Sequence, residues 1–164
     1  MSTSTPAASR RLIKELTDFN KKRPSHLISL HPVDESDLTH WTATLRGPQD
    51  TPYEGGEWEI DIKIPDNYPN APPLMVFVTP VCHPNVHPKT GEICLDLLRG
   101  TAWTPAYTLS TTLESVSQLL GHPEPDSPLN VDIAAVLRHG DRVAYDALVR
   151  VWAVMYAGKK GTTA

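Results

Sequence analysis

Val78–Pro105 reads VTPVCHPNVHPKTGEICLDLLRGTAWTP, and how this stretch is read decides the fold. It has neither the period of a helix nor that of a strand, and it is crowded with turn formers. Stretches of this length without regular structure are uncommon inside a compact domain and usually carry function. Both cysteines of the chain lie here, Cys82 and Cys94, with His83-Pro84-Asn85 directly after the first. Cys94 follows a turn expected at Lys89-Thr90-Gly91-Glu92 and sits between Ile93 and Leu95. A thiol attacks as its thiolate, and an unperturbed one has a pKa of about 8.5. Asn85 offers a neutral amide donor, a group suited to stabilising the oxyanion formed when an acyl carbon is attacked. These residue types raise the question of acyl chemistry at Cys94, against the commoner fate of a lone cysteine, which is structural burial.

Upstream of this stretch the pattern is extended. Strands are expected over His26–His31, Leu38–Arg46, Glu57–Ile64 and Leu74–Thr79. In the third, Trp58, Ile60, Ile62 and Ile64 alternate with Glu57, Glu59, Asp61 and Lys63, which gives one buried and one wet face. The links at 34–37, 47–50 and 66–69 are short and rich in turn residues. Such links favour an antiparallel meander, because a parallel pair needs a crossover of about a dozen residues. Before the strands, from Ser9 on, Leu12, Ile13, Leu16 and Phe19 share a helical face opposite Arg10, Arg11, Lys14 and Lys21.

Downstream the pattern is helical. Thr111 and Glu114 are spaced as a capping box, and Leu113, Val116, Leu119 and Leu120 line one face of a helix ended by Gly121 and Pro123. A short helix is expected over Val131–Arg138. A last helix starts at Asp141, a good N-cap, and is expected to bury Val143, Ala144, Leu148, Val151, Trp152 and Met155. Gly158 ends it. The fold class is therefore α+β: one folded domain over 9–158, a disordered tail over 1–8 and a short tail over 159–164.

Composition narrows the function. With 164 residues, 40% of them hydrophobic and 21% charged, the chain suits one ordinary globular domain. A net charge of −4 offers no general attraction for nucleic acid. No apolar run is long enough for a membrane span, and MSTSTPAAS lacks a secretory signal's apolar stretch. Two cysteines give no disulfide framework, and the histidines have no metal-ligand spacing. Thirteen of the sixteen prolines fall between Pro48 and Pro128, inclusive.

The order of short motifs is more specific. His83-Pro84-Asn85, Gly91-Glu92-Ile93-Cys94-Leu95-Asp96 and Trp103-Thr104-Pro105-Ala106 follow Gly47-Pro48, Thr51-Pro52-Tyr53-Glu54-Gly55-Gly56 and Tyr68-Pro69-Asn70-Ala71-Pro72-Pro73; Asp126-Ser127-Pro128-Leu129 comes after. This string resembles the ubiquitin-conjugating enzymes over roughly Arg10–Trp152. The resemblance implies their fold: an N-terminal helix, a four-stranded meander, an active-site loop and C-terminal helices. It implies that Cys94 receives ubiquitin's C-terminal glycine as a thioester, with no cofactor, since ATP is used by the upstream activating enzyme. Asn85 matches an asparagine with either an oxyanion or a loop-stabilising role, and both readings stay open. His83 and Pro84 are implied to be structural. Asp96, Asp126 and Ser127 are implied to form the acceptor-side gate. Many members have an acidic residue where this chain has Ser127, so an acceptor easier to deprotonate than lysine, such as cysteine, is expected.

The same resemblance implies docking of the ubiquitin-activating enzyme at Arg10, Arg11 and Lys14, where the plain alternative is a solvated basic face. It implies binding of RING-type ligases at Asn70, Pro105 and Ala106, with Asn70 replacing a frequent aromatic. His31–Trp41 and the run from Ser127 through Ile133 to Arg138, Gly140-Asp141 and Ala144-Tyr145 look like the fungal peroxisomal members of the family. Those members imply ubiquitination of a cysteine of the peroxisomal import receptor. They also imply a membrane-anchored peroxin docking partner and a place at the cytosolic face of the peroxisomal membrane. The chain ends in Gly161-Thr162-Thr163-Ala164, not a peroxisomal address of the Ser-Lys-Leu type.

Three other functions compete. A general cytosolic or nuclear lysine-directed member would share every motif. A non-catalytic ubiquitin-binding module of the same fold would lack the cysteine. A cysteine hydrolase using Cys94, His83 and Asn85 would draw all three groups from one short loop, whereas papain-like sites take them from distant segments.

Overall fold

A computed structural model describes residues 5–158. Helix α1 runs over Pro6–Lys21, with Thr5 capping it by accepting from the Ala8 amide at 3.2 Å. Proline at the first helical position and a threonine before it form a strong start signal. The helix therefore begins three residues earlier than the apolar periodicity indicated. Residues 5–8, expected in the tail, belong to the fold, and Ala8 is buried. The rest of the two expected tails, 1–4 and 159–164, lies outside the described residues. The buried face of α1 is Ala8, Leu12, Glu15 and Phe19, whereas Ile13, expected inside, is exposed.

The sheet is an antiparallel meander in the order β1 (Leu27–Asp34), β2 (Asp37–Arg46), β3 (Glu57–Lys63) and β4 (Leu74–Phe77). Ala43 faces Ile60 across β2 and β3, and Ile60 faces Phe77 across β3 and β4. The alternating burial of β3 matches the period-two reading: Trp58, Ile60 and Ile62 are inside. They join Trp41, Ala43, Leu45 and Met75 in a core closed by Leu12 of α1 and by Leu109, Leu113 and Val116 of α3.

The stretch after β4 is less free than its composition suggests. Val86 pairs with Ile93, and the Phe77 amide donates to Gly91 O at 3.0 Å, so a narrow hairpin is stitched to the end of β4. Gly91 has φ +73, and a Cβ there would lie 2.0 Å from Phe77 O; both facts require glycine. After Cys94 comes a one-turn helix, α2 (Asp96–Arg99), where loop was expected.

Helix α3 spans Leu109–Gly121. Its capping box is Thr108 with Thr111, not Thr111 with Glu114. The helix starts earlier because Thr108, in extended backbone conformation, accepts from the Thr111 amide at 3.1 Å. Helix α4 covers Val131–Arg138 as expected, capped by Asn130. Helix α5 covers Arg142–Tyr156, capped by Asp141.

The face assigned to α5 from the sequence is wrong. Tyr145 and Val149 are buried, Ala144 and Trp152 are half-buried, and Val143, Leu148, Val151 and Met155 are exposed. The cause is local. The Tyr145 hydroxyl meets the Tyr53 hydroxyl at 3.2 Å, and the Arg142 guanidinium lies over the Tyr145 ring. These contacts turn a narrow Tyr145–Val149 stripe inward and leave the broader apolar face outside.

Candidate active site

Val81–Val86 is buried at six consecutive positions, although it contains His83 and Asn85. A polar group can be buried only when its hydrogen bonds are met, and here they are. His83 Nε2 contacts Leu119 O at 2.8 Å, while Nδ1 accepts from the Asn85 amide at 3.0 Å. That pairing assigns the proton to Nε2. Burial pushes the His83 pKa down to about 4, so the ring is neutral near pH 7 and both its nitrogens are engaged. A Cys-His dyad with Cys94 is not built here. The Pro84 carbonyl accepts from the amides of Leu129 and Asn130 at 2.8 and 3.0 Å, which ties this wall to the start of α4. The Cys82 carbonyl accepts from the Tyr53 hydroxyl at 2.6 Å. The Cys82 thiol itself is buried, and its pKa is pushed up to about 11.

Asn85 spans the wall and the facing turn. Its Nδ2 donates to Glu124 O at 2.8 Å and to Ser127 O at 3.0 Å, and its Oδ1 accepts from the Glu124 amide at 2.8 Å. An amide has two N–H donors, and both are occupied. In this geometry Asn85 pins the loop, and donation to an oxyanion would require breaking one of these bonds.

Cys94 lies across from that turn. Its amide donates to Asn85 O at 2.8 Å, and its side chain is half-buried, between the closed wall and solvent. The Cys94 Sγ–H donates to Ser127 Oγ at 3.9 Å, a distance within the range for sulfur. The Ser127 amide closes the Glu124–Ser127 turn on Glu124 O at 3.2 Å. Asp126, next in that turn, is exposed, as is Asp96 at the first position of α2. The structure thus gathers Asn85, Cys94 and Ser127 and places Asp96 and Asp126 on the open rim. A groove of about 390 Å³ begins at Leu95, the residue after Cys94, and is lined by Asp96, Ala102, Tyr107, Gln118 and Glu124 among others.

The other predicted residues are remote from the thiol. Arg10 and Lys14 stand on the open face of α1. Arg11 does not: it reaches Glu15 Oε1 and Tyr107 O, each at 2.7 Å. Asn70, Pro105 and Ala106 are exposed on two neighbouring loops, joined by a 2.8 Å bond from Trp103 Nε1 to Pro69 O. Glu15 went unnoticed in the sequence. It is buried and also accepts from the Tyr68 hydroxyl at 2.6 Å and the Leu109 amide at 2.7 Å, joining α1, the Asn70 loop and α3. The only available signal was a charged residue at the i+3 position after Leu12, on the apolar side.

A half-open thiol on a pinned hairpin, facing a proline-rich turn, sits within a helix–meander–helix fold. The family model described as ubiquitin-conjugating enzyme matches residues 11–153. The chain belongs to that family. A ubiquitin-conjugating enzyme transfers ubiquitin through a cysteine thioester, and this chain is such a transferase. It is 48% identical over 146 residues to "Ubiquitin-conjugating enzyme E2 pex4" of Dictyostelium discoideum, covering 89% of this chain and 97% of the relative. It is 40% identical over 156 residues to "Protein PEROXIN-4" of Arabidopsis thaliana, covering 94% and 99%. Among solved structures, it matches the H. polymorpha ubiquitin-conjugating enzyme Pex4p, solved in complex with the soluble domain of Pex22p. The TM-score is 0.86 and the identity 35%, over 93% of this chain and 99% of that one.

Proposed function

We propose that Cys94 Sγ is the atom that carries ubiquitin, and that the enzyme passes it to a cysteine of the peroxisomal import receptor. The observation that carries this reading is the pairing of a half-open Cys94 thiol with the neutral Ser127 hydroxyl. In the loading step, Cys94 thiolate attacks the acyl carbon of the thioester on the activating enzyme. That C–S bond breaks, a new one forms to Cys94, and the activating enzyme's thiolate leaves with the electron pair and takes up a proton. Discharge to an acceptor cysteine repeats the exchange. One thioester replaces another of similar energy, so neither step needs a strong base. A lysine acceptor must first lose a proton from its ammonium, and a serine hydroxyl is a poor group to take it.

The groove of about 390 Å³ beside Cys94 suits the extended C-terminus of ubiquitin. Asn85 acts by fixing the wall and the turn, with His83 and Pro84 as its support. Asp126 and Asp96 border the acceptor's path. The activating enzyme docks on Arg10 and Lys14, while Arg11 serves the fold. RING-type ligases use the Asn70 loop with Pro105 and Ala106, braced by Trp103. The names of the peroxisomal relatives and the Pex4p–Pex22p match support a membrane-anchored peroxin partner and a place at the cytosolic face of the peroxisomal membrane. The exposed apolar face of α5 is the surface suited to that partner. The test is single-turnover discharge of the ubiquitin-loaded enzyme to free cysteine and free lysine at equal concentration. Faster discharge to cysteine is expected; a preference for lysine would contradict the acceptor assignment.

A further inference from the structure

The turn that carries Ser127 is Glu124-Pro125-Asp126-Ser127, flanked by Pro123 and Pro128. The prolines fix φ at three positions around it, so few rotations remain. The most consequential one is a flip of the central Pro125–Asp126 peptide, which interconverts type I and type II turns. Type II needs positive φ at the third residue. Among the described residues, Asp50 is the only non-glycine with positive φ, so Asp126 is not in that form. The two faces of the turn are held separately. From inside, Asn85 grips Glu124 and Ser127. From outside, Arg138 Nη1 donates to Pro125 O at 3.3 Å. That carbonyl belongs to the one peptide whose flip would redirect Asp126 and Ser127.

Arg138 is the last residue of α4. The other end of α4 is tied to the wall, through the Leu129 and Asn130 amides on Pro84 O. The helix is thus a strut between the two walls of the cleft, and its arginine holds the movable one. We infer that Arg138 is a positioning residue for the transfer reaction, fixing the central peptide of the turn so that Ser127 Oγ stays opposite Cys94 Sγ. It touches neither thiol nor ubiquitin and acts through Ser127. The inference rests on the proposed role of Ser127 at the acceptor side.

The test compares wild type, Arg138→Ala, Arg138→Lys, Ser127→Ala and the Arg138→Ala/Ser127→Ala double variant. Each full-length enzyme is loaded by activating enzyme and ATP, then chased with free cysteine. Arg138→Ala is expected to slow discharge about 3- to 10-fold, about 0.6–1.4 kcal/mol of barrier, with loading rate and Tm unchanged. The contact is a single hydrogen bond, not a bidentate pair, so Arg138→Lys should recover most of the rate. In the double variant the Arg138 effect should vanish, because the group it positions is gone. If Ser127→Ala slows discharge but Arg138→Ala does not, or if the two losses simply add, the inference is wrong while the Ser127 reading stands. If Ser127→Ala leaves discharge to cysteine unchanged, the hydroxyl does no work in the transfer and the inference fails, while the proposed function, which asks no base of Ser127, stands.

Discussion

Val81–Val86 and helix α5 reverse the usual order of burial. The wall segment contains a histidine and an asparagine, yet both are essentially inaccessible, at 0% and 1% exposure. The helix is rich in valine, yet Val143 and Val154 are 83% and 81% exposed. The difference teaches that in these two regions hydrogen-bond satisfaction, more than hydropathy, decides what is enclosed. His83 and Asn85 reach Leu119, Glu124 and Ser127, and in doing so they make the loop beside Cys94 rigid. Among the described residues nothing covers Val143, Val151 and Val154 of α5, which suits a surface that meets another protein.

The largest effect expected from this contrast is a pH dependence of stability. His83 has a folded pKa near 4 against 6.5 for an ordinary histidine, because burial disfavours its charged form. Above pH 6.5 neither state holds the proton, and the full stability is present. Below it the unfolded chain takes a proton that the folded site refuses, so stability falls as pH drops from 6.5 toward 4. The loss approaches about 3 kcal/mol at completion. Urea titrations across that window should show it, and His83→Gln should remove that part of the slope. An unchanged slope would break the claim that the wall excludes charge.

Asn85→Ala comes next. It leaves the Ser127 carbonyl and the Glu124 amide without this partner and the Glu124 carbonyl with the Ser127 amide alone, and a loss of about 2 kcal/mol is expected, together with slower discharge. If discharge collapses while stability is untouched, the residue acts on the oxyanion and not on the loop. Tyr145→Phe tests a link between the two regions, which runs through the Tyr53 hydroxyl to the Cys82 carbonyl. Losing the contact with the Tyr53 hydroxyl should cost about 1 kcal/mol, read from the urea midpoint, and leave loading intact. The smallest effect on stability belongs to Val143→Asp and Val154→Asp, expected within about 0.5 kcal/mol of wild type. The same changes should abolish binding to the soluble domain of the peroxin partner, measured by calorimetry. Unimpaired binding would remove α5 from the docking surface.

The meander was legible because β3 alternates without a break from Glu57 to Lys63 and its links carry turn residues. Helix α4 was expected over Val131–Arg138 and is found there, with Asn130 as the cap the structure adds. What misled was rotation about a helix axis. In α5 several apolar residues compete for the inner face, and a tyrosine hydroxyl with a distant partner, Tyr53, decides among them. In α1, Glu15 took the place assigned to Ile13, because Tyr68, Arg11 and the Leu109 amide supply its bonds. Such choices depend on partners far along the chain, which local periodicity does not contain. Within the cleft the motifs named Asn85, Cys94 and Ser127, but the bonds that engage all of the Asn85 amide emerge only when the turn folds over it.

The most direct measurement is a charging assay. Activating enzyme, ATP, ubiquitin and this protein are incubated and run on a gel with and without reductant. A reductant-sensitive adduct is expected in the wild type and in Cys82→Ala, whose thiol is buried with its pKa pushed up to about 11, and no adduct in Cys94→Ala. An adduct that survives in Cys94→Ala would contradict the assignment of the nucleophile.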